Sequence, residues 1–600
     1  MSRTTFVDIL KIPEMTHHKI HMRRVLVSAV LSLCLVSINA IEAQPVVEKR
    51  VAIIGSGAGG SSAAYWLSRA FPSSGDIKIS STVFEALDRV GGRSITIPIM
   101  DDPANGVAEL GASIFVEVNW NMMNATKKFG LELKKLGSVD SRFGLWNGKE
   151  FIFQETGNSW WDTAKGLFRY GIAPFRVRNL VLSATDRLAY AYDHSFFPAF
   201  TNLKTLTSFL NFGEETSRTA RHYLITDSHV KASYIEQIVQ SATRVNYGQN
   251  IDRIHALGAL VSMAANGAKS VKGGNWQIFQ KFIEESGAKL RLETRVVGIK
   301  KLVDKKTGTT VYEVESEGGE KEMFDAVIVA APVHNANINF NNVPSSAASA
   351  LLDNPPAFET IHVTFVAGQR DPSYFGVDNL ETLPNMVVTT ADTTHFPGGQ
   401  YPFTTFAEHH FHNDSKESIV KIFSNKEISD SLLDSLFVSR SWTFRHAWQA
   451  YPTLIPILDA EYEKMAAKNR IEAAKQSSLS ISTLRDIFTN FLREWGVLPQ
   501  KKVEVKEVTE EVPTKVGPFA LKWPPIVLDE EHEGEGDGGV FYVNAFENWI
   551  STMETETISS KNIVRLLHKQ WCPKCEPFGD GWTEQANEQP SDAVEKKNEL

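Results

Sequence analysis

The glycines of Gly55-Ser-Gly57-Ala-Gly59-Gly60 follow the run of β-formers Val51-Ala-Ile-Ile54 directly and precede a helical stretch from Ser61 to Ala70. Strand, turn and helix in that order form a cradle for a dinucleotide diphosphate. Gly55 permits the tight turn, Gly57 lets the backbone approach a pyrophosphate, and Gly60 lets the helix pack close to the strand. The helix start then offers free N–H groups and a positive dipole end to the phosphates. A second strand, Thr82-Val-Phe84, ends at Glu85, where an acid is placed to bond ribose hydroxyls. A carboxylate there favours an unphosphorylated ribose.

After Glu85 comes Arg89-Val-Gly91-Gly92-Arg93, and this E-x5-G-G-R pattern resembles the flavin-binding extension of monoamine-oxidase-like proteins. The resemblance implies FAD rather than NAD. Gly91 and Gly92 allow backbone near the diphosphate, and the Arg93 guanidinium is expected to clamp a phosphate oxygen. Two distant segments resemble the rest of such a site. "LETRVVGI", Leu292 to Ile299, followed by a strand from Asp325 to Pro332, implies an adenine contact through the backbone of Val296. The strand Phe541-Tyr-Val-Asn544 and the helix opening at Ser551-Thr552-Met553-Glu554 imply a positive helix end, at Thr552 and Met553, facing the flavin.

The middle of the chain carries Arg244-Val-Asn246-Tyr247-Gly248-Gln249, an alanine-rich helix in "IHALGALVSMAANG", and Gly273-Gly274-Asn275. Together with Trp448-Gln-Ala-Tyr451-Pro452 and Ser551 to Asn562, these resemble the prenylcysteine oxidase family within the FAD superfamily. The resemblance implies oxidation of the thioether of farnesyl- or geranylgeranylcysteine. Hydride leaves the prenyl carbon beside sulfur for the flavin, water adds, and the hemithioacetal collapses to prenyl aldehyde and free cysteine. Oxygen then takes the electrons as hydrogen peroxide. Arg244 is expected to bind the cysteine carboxylate, and Tyr247 or Gln249 to hold water. Asn246 and Gly248 read as turn-shaping residues. The aromatic-rich stretch Ser159 to Gly171 reads as core or as lining of an apolar channel. No metal cluster or Ser/His/Asp set is required, because the flavin carries the difficult step.

These residues demand an α/β architecture: a Rossmann-type FAD-binding domain interwoven with an α+β substrate-binding domain. The FAD domain takes 44–130, 291–340 and 539–571, and the substrate domain takes 131–290 and 341–458. Residues 459–538, with the Lys/Glu-rich "KKVEVKEVTEEVPTKV" and acidic "DEEHEGEGDGG", read as a surface insertion, partly helical at Ile481 to Trp495 and otherwise mobile. Residues 572–600 read as a polar tail. The 600 residues, 42% hydrophobic and 22% charged with a formal net charge of -9, exclude a nucleic-acid binder.

Residues 1–43 read as a signal peptide: basic residues precede the apolar run Val25 to Ile38, and small residues follow at Ala40 and Ala43. That run is short for a membrane span. Sequons at Asn124 and Asn413 and a local disulfide between Cys572 and Cys575 agree with a secretory route to the lysosome, vacuole or endoplasmic reticulum. The closing Lys597-Asn-Glu-Leu600 differs by one residue from a lumenal retrieval signal. Two competing functions remain: an amine or polyamine oxidase of the same fold, with an acidic channel for a cationic substrate, and a non-catalytic secreted binder of prenyl lipid or FAD.

Overall fold

The computed structural model describes residues 46–72, 75–135, 142–193, 197–264, 267–306, 308–343, 346–353, 355–390, 401–409, 417–457, 523–529 and 538–582. The proposed signal peptide, the Asn413 sequon, most of the 459–538 span and the last residues of the tail lie outside them.

A five-stranded parallel sheet orders its strands Gly539–Tyr542, Ala326–Val329, Val47–Ile54, Ile77–Phe84 and Lys289–Arg291. Val51 to Ile54, Ala326 to Val329 and Gly539 to Tyr542 are buried along their whole length. Such unbroken apolar strands require cover on both faces. The helix Ala58–Ala70 supplies part of it, burying Ala63, Ala64, Tyr65, Trp66 and Leu67. The closing helix Met553–Trp571 crosses it closely enough for Ser62 and Ser560 to hydrogen-bond at 2.7 Å. The helix Trp276–Ser286 packs there too, with Phe282 against the rings of Tyr65 and Trp66. The boundary drawn at residue 290 therefore falls earlier, because this helix is part of the first domain's core.

The second domain is built on a seven-stranded mixed sheet, ordered Phe437–Pro452, Phe358–Arg370, Ser418–Ser424, Thr405–His409, Met386–Thr389, Phe143–Trp146 and Phe151–Gln154. Its strands come from both sides of the FAD domain's middle segment, so the two domains interweave as expected. A four-stranded sheet, Lys321–Phe324, Thr310–Ser316, Val296–Val303 and Asn339–Asn341, adjoins the parallel one.

One expectation needs correcting. Within the span read as a surface insertion, Trp523, Ile526 and Leu528 are buried in the largest core. Leu528 N–H donates to the Val540 carbonyl and Tyr542 N–H to the Ile526 carbonyl, both at 2.8 Å, so this segment extends the parallel sheet at its outer edge. The sequon asparagine Asn124 is half-buried within the helix Trp120–Lys128, and the buried Thr126 hydroxyl donates to the Met123 carbonyl. Cys572 and Cys575 form a disulfide directly after the closing helix.

Candidate functional site

Gly55 adopts φ +101°, and a Cβ on Gly60 would stand 1.9 Å from the Gly55 carbonyl oxygen. The turn closes only because side chains are missing at both places. Gly59 serves packing as well, since its Cβ would meet Val543 at 2.6 Å. Gly57 is different. The atoms nearest its Cβ position are Gly92 Cα, at 3.7 Å, and Gly91 oxygen, at 3.9 Å, which leaves a side-chain-sized gap between the two glycine turns. No side chain caps the helix Ala58–Ala70, and its first turn carries no acid. Its leading N–H groups are left to an anion.

Glu85 stands where the sequence placed it. Buried at its strand end, it accepts from Ser56 N–H at 2.8 Å, Ser56 Oγ at 2.6 Å and Leu87 N–H at 2.9 Å. Thr294 N–H donates to the Glu85 carbonyl at 2.8 Å, which brings the Val296 stretch beside it. The two expected adenosine contacts are thus neighbours.

The Arg93 clamp is taken up by the chain itself. Its guanidinium forms a two-pronged pair with buried Glu547 and donates to the Ala450 carbonyl at 2.8 Å. Burial works against its charge, but Glu547 outweighs burial and keeps Arg93 protonated. Asn544 Nδ2 bridges Glu547 to Glu556, reaching Glu556 Oε2 at 3.2 Å. Glu556 is wholly buried beside Gly59, and burial, followed by the Glu547 charge, lifts its pKa well above the carboxylate range. Glu556 Oε1 and Asn544 Oδ1 are buried without a hydrogen-bond partner among the described residues. Orphaned polar atoms of this kind call for a ligand with hydroxyl groups. An uncapped helix start, a gap between glycine turns, Glu85 for a ribose and this polar pocket together fit FAD. Sequence reading had missed Asn544, Glu547 and Glu556; the signal for the first two was polar residues set in the apolar run "FYVNAFENWI".

Thr552 and Met553, both half-buried, open the closing helix. Thr552 Oγ1 accepts from Thr555 N–H at 3.1 Å, so a capping box closes this terminus with its first N–H groups still available. In the same first turn, Glu554 accepts from Asn121 N–H at 2.7 Å, Met122 N–H at 2.9 Å and Tyr192 OH at 2.7 Å. Burial raises its pKa from the usual 4.5 to about 7, against the pull of those donors. Between those values the folded chain binds more protons at Glu554 than the unfolded one, so its contribution to stability falls as pH rises. Glu554→Gln removes the titration. Wild type is expected to lose up to about 3 kcal/mol relative to the variant from pH 4.5 to 7, as read by denaturant unfolding at each pH.

A family model described as prenylcysteine lyase matches residues 153–465 and 523–580, more than half of the chain. The chain belongs to the prenylcysteine lyase family. A model for an NAD(P)-binding Rossmann-like domain matches residues 53–127, the glycine turn and Glu85 included. Farnesylcysteine lyase of Arabidopsis thaliana is 27% identical over 540 residues, covering 87% of this chain and 89% of that protein. Prenylcysteine oxidase 1 of Bos taurus is 27% identical over 436 residues, covering 68% and 80%. A solved putrescine oxidase variant is 13% identical, with a TM-score of 0.50 over 87% of this chain and 99% of that one. That likeness shows the fold. The family match stops at 465 and resumes at 523, which agrees with the packing of Trp523 to Asp529.

Against this family background, the R-x-N-Y-G-Q stretch proves to be framework. It ends the helix Gln240–Tyr247, with Gly248 as a left-handed cap. Gln249 uses both ends of its amide on backbone, donating to the Pro452 carbonyl at 3.1 Å and accepting from Leu454 N–H at 2.9 Å. It ties the helix end to the strand Phe437–Pro452. Arg244 is buried, donates to Thr389 Oγ1 and Asn250 Oδ1 at 3.0 Å each, and lies over the Tyr401 ring. Burial lowers its pKa to about 10, so the cation persists at neutral pH. It braces the helix against the second sheet. Asn246 donates to the Ala242 and Ser262 carbonyls. Tyr247 is buried edge-on against Tyr451 at 5.4 Å, and burial raises its pKa. Tyr451 follows Ala450, the carbonyl that Arg93 holds, so Tyr247 is the member of this stretch that reaches the cofactor pocket's wall.

Proposed function

We propose that this chain is an FAD-dependent thioether oxidase that cleaves a prenylcysteine to prenyl aldehyde and free cysteine, with oxygen reduced to hydrogen peroxide. The observation that carries the reading is the match to the prenylcysteine lyase family across both halves of the second domain and through the closing helix. The farnesylcysteine and prenylcysteine named in the relatives define the substrate class.

Bound FAD supplies the two-electron acceptor. Gly57 and the uncapped start of the helix Ala58–Ala70 hold the diphosphate, and Glu85 holds a ribose. Glu556, with Asn544, meets cofactor hydroxyls, while Arg93 and Glu547 fix the pocket wall to Ala450 of the substrate-domain sheet. The reaction needs orientation and exclusion of water more than a nucleophile. A secretory destination accords with the Cys572–Cys575 disulfide, a bond that persists in oxidising compartments.

Farnesylcysteine added to the purified yellow protein without oxygen is expected to bleach the flavin and release cysteine, and admitted air to restore the colour with peroxide. Spermine is expected to do neither. Bleaching by spermine alone would make the chain an amine oxidase; bleaching by neither would leave a binder.

A further inference from the structure

The helix Ser159–Tyr170 is amphipathic in the wrong direction for a globular protein. Trp160, Trp161, Ala164, Leu167 and Phe168 share one face at helical spacing. That face points outward: Trp160 is 72% exposed and Phe168 96%. Only its end turns inward, where Tyr170 is buried against Tyr234 and Phe153 and where Arg169 Nε and Tyr170 OH both donate to Gln237 Oε1. The stripe from Trp160 to Phe168 is therefore not core. Ile172, in the corner leading into the helix Ala173–Ala189, continues the exposed apolar surface. An outward stripe of this size on a soluble protein marks an interaction surface.

Its surroundings choose the partner. Lys165 lies over the Trp161 ring at 5.9 Å. Arg176 donates to the His229 carbonyl and Lys231 to the Arg169 carbonyl, both neutral acceptors that leave the cations' charge in place. Arg176 and Lys231 also border a cavity of about 440 Å³ at the same corner, with Ile172, Ala173, Ile225 and Val230 as its apolar wall. In a chain of net charge -9, cations grouped around exposed tryptophan and phenylalanine complement an anionic apolar layer. Among the described residues no helix is long and apolar enough to cross a membrane, so contact here is with a surface.

We propose that the helix Ser159–Tyr170 and the corner after it form a membrane-docking face. The aromatic stripe enters the interfacial layer, and Arg176 and Lys231 meet the phosphates of anionic lipids. Tryptophan suits that depth, with an apolar ring and a polar N–H.

The test uses the full-length, flavin-loaded protein and vesicles of phosphatidylcholine with or without phosphatidylserine. Wild type is expected to sediment with the phosphatidylserine vesicles and to bind pure phosphatidylcholine at least about tenfold more weakly. Trp160→Ser with Phe168→Glu is expected to weaken vesicle binding at least about tenfold while flavin content and melting temperature stay unchanged. Arg176→Gln with Lys231→Gln is expected to remove the preference for phosphatidylserine. Failure of wild type to sediment with either vesicle overturns the proposal. So does a concentration-dependent dimer, broken by Phe168→Glu, in a protein that ignores vesicles, because the stripe then faces a second copy of the chain.

Discussion

Gly57→Val is expected to yield a folded protein that purifies without flavin. The backbone at Gly57 has φ -74°, which valine adopts freely, and the nearest atoms to a Cβ there lie at van der Waals distance. The protein itself therefore tolerates the side chain. The valine methyls, however, fill the gap between Gly57 and the Gly91–Gly92 turn, through which a diphosphate must reach the helix N-terminus. Gly60→Val provides the contrast. Its Cβ would lie inside the contact radius of the Gly55 carbonyl oxygen, so that variant is expected to fail at folding rather than at binding. Circular dichroism with the visible flavin spectrum separates the two outcomes. A folded, fully yellow Gly57→Val protein would show that the diphosphate lies elsewhere.

The cradle was legible because its determinants are local. A strand, its turn and the next helix are adjacent in sequence, and Glu85 lies at the end of the neighbouring parallel strand, whose register is fixed along its length. Arg93 was legible as a residue but not as a contact. Its partner Glu547 is 454 residues away, and nothing near Arg93 signals that a buried carboxylate will arrive to neutralise it. Arg244 and Gln249 show the converse limit. Buried residues that brace a framework and residues that bind a ligand form the same kind of motif, and only the backbone partners of Gln249 tell them apart. The Ser159–Tyr170 helix was misjudged because periodicity reports which residues share a face, not which way the face points. The run Trp523-Pro-Pro-Ile-Val-Leu528 did carry a signal, an apolar stretch between charged ones, which the acidic residues after it obscured.

The residue after that run sets the second large effect: Asp529→Ala is expected to destabilise the chain by about 3–5 kcal/mol. Asp529 is fully buried, and its carboxylate accepts from Lys301 Nζ at 3.1 Å and from Tyr312 OH at 2.7 Å. Lys301 and Tyr312 face each other across the antiparallel strands Val296–Val303 and Thr310–Ser316, so one aspartate engages both strands. Lys301 is also buried, and alanine at 529 would remove the carboxylate that stands 3.1 Å from its ammonium. The same loss frees residues 526–528 from the edge of Gly539–Tyr542, the strand that leads into Asn544 and Glu547. Flavin release on heating is therefore expected to move down together with Tm. Asp529→Asn, which keeps a hydrogen bond but not the charge, should fall between alanine and wild type. Lys301→Met with Asp529→Leu is expected to recover much of the loss, since a buried ion pair replaced whole costs far less than one broken in half. Equal unfolding midpoints for Asp529→Ala and wild type in a denaturant titration would show that Trp523 to Asp529 is a passenger and not part of the core.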